Sequence, residues 1–485
     1  MTTSLSQYRF DWVMPEIVVC AAAFLVLLTG VYSRHKRSRP IAGWLTLGGL
    51  GIAIAWTWYL RGVGGDAFFG AYRVDAFATF VKFAILIGAA ITTLLSMDYW
   101  QNRAVQAPEY YALLLFATVG MMLLTGANDL MTVFLAIEIM SFSVYILVAS
   151  RRDDQSATEA AMKCFMLGAF SSGVLVYGLA LVYGATGTLL LKDIAAAHAA
   201  AAITEPLLFK IGMGMILVGF IFKVAGVPFH MWAPDVYQGA PAPVTGLMAV
   251  GVKAAAFAAA IRVFSVAFGA QAVDWQPVIW WVAVLTILVG NFLAITQDNL
   301  KRMLAYSSIA HAGYLLIGLT TGYKVSGSAI LFYLVAYTFM NLGAFGVLTA
   351  VSRGDDELEN IPQWAGIAQK HPALAAVMAL CMFSLAGIPP TAGFFAKFYL
   401  FYSAIQAGDV LIVLIAVLGS LVSLYYYLRV IVVMYMQEPA GDAVFGGLSN
   451  PARVGVLASV AGILYLGLWP RGLLAWAESA IHTLF

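Results

Sequence analysis

One glutamate and seven basic residues lie inside stretches of sequence that are otherwise apolar. Glu138 sits near the middle of the run NDLMTVFLAIEIMSFSVYILVAS, and Lys82, Lys163, Lys223, Lys253, Arg262, Lys397 and Arg429 lie in other runs. An ionised side chain in the middle of hydrocarbon costs at least about 2.5–3.5 kcal/mol, so such residues line a hydrated path or pair with each other. Arg262 and Arg429 stand about two turns from the ends of their runs, and Lys163 about one turn. Each of these three can snorkel its head to the interface. Lys82 is deeper and is left open between packing and chemistry. Lys223, Lys253 and Lys397 are too deep to escape. They outnumber the one central carboxylate, so they cannot all be charged at once unless water penetrates. Desolvation lowers the proton affinity of a buried amine and a nearby carboxylate raises it. A lysine tuned by the approach or withdrawal of Glu138 is a proton-transfer switch. An arginine would not serve, because it stays protonated. The alternative is a static ion pair between Glu138 and a lysine.

The elements that hold these groups must cross a membrane. Of the 485 residues, 62% are hydrophobic and 10% charged, against about 25% charged in a soluble chain. With a net charge of +2, an ordinary soluble enzyme, a disordered chain and a nucleic-acid binder are excluded. A helical crossing needs about 20 apolar residues. About 14 spans follow, at 11–32, 41–60, 73–97, 108–127, 129–149, 159–185, 206–231, 241–268, 275–297, 301–321, 327–352, 372–405, 409–436 and 451–470. The runs are continuously apolar, which excludes a β-barrel. The expected fold is an all-α polytopic membrane protein in contact with the lipid bilayer.

Of the 26 Lys and Arg, 12 fall on the side of the Arg34–Arg39 loop and seven on the other. The positive-inside rule makes the first side cytoplasmic and turns both termini outward. Only Arg9 precedes the first run and the basic cluster follows it, the reverse of a signal peptide, so a retained first helix is expected. Cys20, Cys164 and Cys381 form no CxxC pair and read as small buried hydrophobes. No P-loop and no Gly-rich strand–helix turn is present, so nucleotide binding of the usual kind is excluded. The driving energy must come from elsewhere or from an ion gradient.

Two spans carry helix breakers. The seventh reads KIGMGMILVGFIFKVAGVPFHMWAPD, with Pro228 close after Gly226. Proline removes a backbone donor and clashes one turn back, and the freed groups must be met by water or neighbours. Lys223 and His230 lie seven residues apart, two turns or about 10 Å along one helical face. A lysine and a histidine flanking a hydrated break can form part of a proton wire. The twelfth span, PALAAVMALCMFSLAGIPPTAGFFAKFYLFYSAI, is interrupted by Gly387, Pro389, Pro390 and Gly393 and followed by Lys397. It is too long for one straight crossing and reads as two half-helices. AGVP (225–228) and AGIP (386–389) are five spans apart, as are Glu138 and His311. An odd offset reverses direction, so inverted five-helix repeats over spans 4–8 and 9–13 are expected. Paired interrupted helices of this kind point to a transport path at mid-membrane. The expected divisions are 1–107, a three-helix segment; 108–268 and 269–436, the two repeats; and 437–485, a last helix.

The segments FKVAGVPFHMWAPDVYQGAPAPVTG (222–246) and SLAGIPPTAGFFAKFYLF (384–401) resemble the antiporter-like membrane subunits of respiratory complex I, most nearly the subunit N branch of that family. Span count and length fit over nearly the whole chain. The subunit L branch carries a long C-terminal lateral helix that this chain lacks, and the subunit M branch typically has a glutamate where this chain has Lys397. The resemblance implies a 14-helix fold with discontinuous helices 7 and 12. It implies proton translocation across a bacterial inner membrane, coupled to NADH oxidation and quinone reduction in partner subunits. Those partners are expected to hold the FMN, iron–sulfur clusters and quinone; none is expected on this chain. Neighbouring antiporter-like and small membrane subunits are the expected contacts. By family role, Glu138 matches the fifth-helix carboxylate, Lys223 its partner on helix 7, Lys253 the central lysine of helix 8, and Lys397 the outlet lysine of helix 12. His230 and His311 match connecting positions along the axis. Lys163 matches a sixth-helix lysine that partners the glutamate, in competition with snorkelling, and Tyr426 falls near the exit. Two further readings are a subunit of a multisubunit sodium–proton antiporter and a structural scaffold without ion flux.

Overall fold

The computed structural model describes residues 8–32, 35–100, 107–201, 203–351, 358–439 and 448–484. Arg34, Arg103 and Arg353 of the sidedness count lie outside them, as do the side chains of Lys36, Arg37 and Arg39. The helices are α1 (Met14–Tyr32), α2 (His35–Tyr59), α3 (Ala76–Tyr99), α4 (Ala107–Gly126), α5 (Leu130–Val148), α6 (Gln155–Thr186), α7 (Leu191–Ala199), α8 (Pro206–Lys223), α9 (Trp232–Gly239), α10 (Ala242–Leu247), α11 (Lys253–Val266), α12 (Ala272–Ile295), α13 (Leu300–Thr320), α14 (Tyr323–Val351), α15 (Ile367–Lys370), α16 (Pro372–Ala386), α17 (Ala392–Gln406), α18 (Val410–Met436), α19 (Asn450–Leu468) and α20 (Arg471–Ile481). A π-helical turn, Met248–Val252, joins α10 to α11. Among the described residues, 13 helices are long and apolar enough to cross a membrane. The expected twelfth span supplies two 15-residue half-helices, α16 and α17, instead of one such helix.

The helices start where a short polar side chain can satisfy their first free N–H groups. The Asp129 carboxylate accepts from the Met131 and Thr132 amides at the start of α5, and Asp154 does the same for Ser156 and Ala157 in α6. Asn299, Asp409 and Ser449 cap α13, α18 and α19. Burial sorts the spans. Those containing α10–α11, α13 and α14 are buried nearly all round, whereas α1, α6, α18 and α19 present apolar faces outward. The enclosed helices are the ones that carry Lys253 and His311.

Both breaks close in the same way. α8 ends at Lys223; Ala225 is left-handed at φ 59°, the Gly226 amide reaches the Ile221 carbonyl at 2.8 Å and the Ala225 amide reaches Phe222. α16 ends at Ala386; Gly387 is left-handed at φ 89°, the Ile388 amide reaches Phe383 at 3.0 Å and the Gly387 amide reaches Ser384. Each is a Schellman ending. The backbone match is therefore one residue out of step with the letter match of AGVP to AGIP. Neighbours meet the freed groups: Trp232 Nε1 donates to the Phe222 carbonyl at 3.0 Å, and the Val227 amide donates to Thr286 Oγ1 at 2.9 Å.

The expected break of the seventh span is present, but the chain leaves the helix already at Lys223, ahead of Gly226 and Pro228. Lys223 and His230 thus do not share a helical face. Short elements also escaped the sequence reading. They are a hairpin of β1 (Gly65–Ala67) and β2 (Tyr72–Val74), α7 within the connection 186–205, and α20 after the last span.

Candidate functional site

α5 brings Glu138 and Ser141 to one face, three residues apart. Glu138 is half-buried, and its Oε1 accepts a 2.5 Å hydrogen bond from Ser172 Oγ on α6. Ser141 Oγ donates to the Ile137 carbonyl and accepts from Lys223 Nζ at 2.8 Å. Lys223 is buried at the last residue of α8, where the helix's free carbonyls favour a cation. Among the described residues Glu138 and Lys223 make no direct ion pair. Each holds a serine, so the pair stands apart within a shared environment. A cavity of about 30 Å³ adjoins Lys223 and Ser141, lined also by Tyr145, Cys164, Trp232 and Val252, among others. It lies between Lys223 and the residue preceding Lys253. The π-helical turn that ends at Val252 is a distortion often found at functional positions.

Lys253 is buried, and its Nζ donates to both the backbone carbonyl and the Oγ of Ser308 on α13. Ser308 Oγ also lies 3.4 Å from the Tyr237 hydroxyl. One residue back, Ser307 Oγ bonds the Tyr427 hydroxyl of α18, which lies 3.2 Å from His311 Nε2. His311 Nδ1 meets the Tyr333 hydroxyl of α14 at 2.5 Å. Lys397, near the start of α17, donates to the Ala386 carbonyl at 2.9 Å and to Ser420 Oγ at 2.8 Å. That carbonyl is the last of α16, so Lys397 meets an acceptor freed by the break. Its Nζ stands 5.2 Å from the centre of the Tyr314 ring, within cation–π range. The axis Lys253–His311–Lys397 is thus lined by hydroxyls, aromatic rings and one imidazole.

Two expected members lie elsewhere. Lys163 is 42% exposed and pairs with Glu159 and Asp235, each at 2.7 Å, not with Glu138. Its chain reaches out of α6 to Asp235 on α9, which also binds Arg302 at 2.6 Å. His230 is half-buried in the turn before α9 and joins none of these bonds; its buried Nδ1 has no partner among the described residues. The reason is the early end of α8, which swings His230 away from the Lys223 face.

The remaining cations of the spans are paired. Lys82 Nζ lies 2.6 Å from Glu16 Oε1, which also accepts from the Tyr72 hydroxyl. Arg262 does not snorkel: it is 1% exposed and grips both oxygens of Asp75 at 2.8 and 2.9 Å. The expectation failed because Asp75, at the head of α3, is distant in sequence but adjacent in space. Arg429 does reach the surface, where it meets Asp298 and the Gln297 carbonyl. The sequence reading missed Ser141, Ser172, Ser307, Ser308, Tyr333 and Tyr427. One signal was available: Ser141 and Ser308 each sit three residues from a singled-out residue of the same helix, Glu138 and His311.

The family NADH:quinone oxidoreductase/Mrp antiporter, TM, matches residues 127–423. NADH-quinone oxidoreductase subunit N of Trichlorobacter lovleyi is 45% identical over 475 residues, covering 97% of each chain. The protein of the same name from Paramagnetospirillum magneticum is 39% identical over 476 residues, 98% of this chain and 97% of the relative. A chain of respiratory complex I from Thermus thermophilus superposes with a TM-score of 0.81 at 35% identity, covering 95% of this chain and 98% of that one. A chain of the Mrp complex from Dietzia superposes with a TM-score of 0.85 over 98% of both chains at 22% identity, a likeness of fold. The chain is therefore a multi-pass membrane protein of the NADH:quinone oxidoreductase/Mrp antiporter family and, within it, belongs to the NADH-quinone oxidoreductase subunit N proteins.

Proposed function

We propose that this chain is a proton-translocating membrane subunit of NADH:quinone oxidoreductase and that its Lys223, Lys253, His311 and Lys397 carry the proton. One observation supports this most. Lys223, Lys253 and Lys397 are buried and hydrogen-bonded to serines and carbonyls, without a carboxylate on any of them among the described residues. Lys82 and Arg262, equally buried, are locked onto Glu16 and Asp75. A cation held by a carboxylate keeps its proton, whereas an amine held by neutral groups in low dielectric can give it up.

The proton enters from the cytoplasmic side near Lys223, whose affinity Glu138 sets by approach or withdrawal. It crosses to Lys253, passes His311 and leaves outward at Lys397. Redox chemistry on FMN, iron–sulfur clusters and quinone in partner subunits drives the cycle, and this chain contributes the path. The setting is a bacterial inner membrane with both termini on the periplasmic side. The divisions 1–107, 108–268, 269–436 and 437–485 are part of this reading, with the matching Schellman breaks as support for the two inverted repeats. Replacement of Lys223 by alanine tests it. After native gels confirm assembly, NADH-driven quinone reduction and proton pumping are measured in membrane vesicles. Both should fall steeply, and normal pumping by the assembled variant would remove Lys223 from the path.

A further inference from the structure

We propose that Tyr427 is a proton-relaying residue between the Lys253 and Lys397 ends of the axis and that its neighbour Tyr426 is not. The inference rests on the proton path proposed above. The two tyrosines are consecutive on α18, and consecutive side chains of a helix diverge by about 100°. They are both buried and their hydroxyls lie close to each other, yet the further partners of each differ.

The Tyr427 hydroxyl faces two groups of α13 one turn apart, Ser307 Oγ and His311 Nε2. All three can both donate and accept a proton. Ser307 adjoins Ser308, which holds the Lys253 amine. Beside this run lies the buried Tyr337 hydroxyl, close to Ser308 and Asn341, with its ring 5.1 Å from the His311 ring. That hydroxyl can connect Ser308 to the run. A surplus proton reaching Ser307 then moves in balanced steps. The Ser307 proton passes to the Tyr427 oxygen as the Tyr427 proton passes to His311 Nε2. One O–H bond forms on Tyr427 as another breaks, and the surplus proton then rests on His311 as the imidazolium, whose Nδ1–H donates to the Tyr333 hydroxyl, 2.5 Å away.

The Tyr426 hydroxyl donates to Asn291 Oδ1 at 3.0 Å. The Asn291 amide nitrogen donates in turn to the Tyr314 hydroxyl at 3.1 Å and to the Ile287 carbonyl at 2.8 Å. An amide NH₂ gives hydrogen bonds but does not surrender its proton near neutral pH. This second run therefore fixes α12, α13 and α18 together and conducts nothing.

The test compares Tyr427→Phe, Tyr427→His and Tyr426→Phe in the assembled complex, in inverted membrane vesicles, with Lys253→Ala as reference. The rate of proton pumping is measured beside that of NADH oxidation in H₂O and D₂O. Tyr427→Phe should cut pumping by about a hundredfold, the lower end of what a positioned proton-transfer group contributes. Tyr427→His, which restores an exchangeable ring proton, should recover part of it, and Tyr426→Phe should keep the parent rate and the parent isotope effect. If Lys253→Ala stops pumping while Tyr427→Phe leaves it intact, the relay is wrong and the path survives. Equal damage from Tyr426→Phe and Tyr427→Phe, without rescue by histidine, would also overturn the relay. If Lys253→Ala pumps normally, the path itself falls.

Discussion

Arg262→Leu should destabilise the chain far more than loss of a surface charge would. The guanidinium is 1% exposed and makes three charged hydrogen bonds, two to Asp75 and one, at 3.1 Å, to the Thr125 carbonyl in the last turn of α4. Removing one partner of a buried pair costs about 3–5 kcal/mol, because the other charge is left behind. Asp75 would retain the Ala78 amide at 2.7 Å and Arg73 Nε at 3.4 Å, so the loss falls at the lower end. About 3 kcal/mol is roughly a hundredfold in the unfolding equilibrium. An SDS titration in bicelles, followed by the emission of the 12 tryptophans, reads it. The double variant Arg262→Leu with Asp75→Asn should recover most of the loss, since no buried charge is stranded and the asparagine can still cap α3. An unchanged SDS midpoint for Arg262→Leu would refute the reasoning, as would a double variant as unstable as the sum of the single ones.

Further expectations follow from the same geometry. Gly393→Ala would place a Cβ 1.7 Å from the Ser384 carbonyl oxygen, where α16 and α17 touch. Overpacking of this kind costs about 1–3 kcal/mol, so the variant should lower the melting temperature of the purified complex; an unaltered melt would contradict the contact. Lys163→Ala removes two partly exposed ion pairs worth at most about 1 kcal/mol each. Vesicle assays should show it retaining much more pumping than Lys223→Ala, and the reverse order would restore Lys163 to the axis.

The sequence was most legible where hydrophobic length alone decides structure. All the expected spans have helical counterparts, because about 20 apolar residues have few other options in lipid. Gly387, Pro389 and Pro390 marked the second break correctly, and Pro228 marked the first. The end of α8 at Lys223 was harder to see, since a helix terminates several residues before the proline that forces it. The hairpin strands are three residues each, too short to display alternation. For charges, depth along a helix was readable but partners were not. Asp75 and Arg262 are 187 residues apart, and nothing local ties them. The hydroxyls of Ser307 and Tyr427 were invisible for another reason: serine and tyrosine inside a span are common, and only the fold aims them at each other and at His311.

The account stands on amines that must release a proton, not merely carry charge. Lys253→Arg isolates that requirement, because an arginine keeps the positive charge and does not deprotonate. Proton pumping by the assembled Lys253→Arg complex, measured against NADH oxidation in sealed vesicles, should fall to the level of Lys253→Ala. Pumping restored to the parent level by arginine would mean that a fixed charge suffices, and the proposed relay through Lys253 would be wrong.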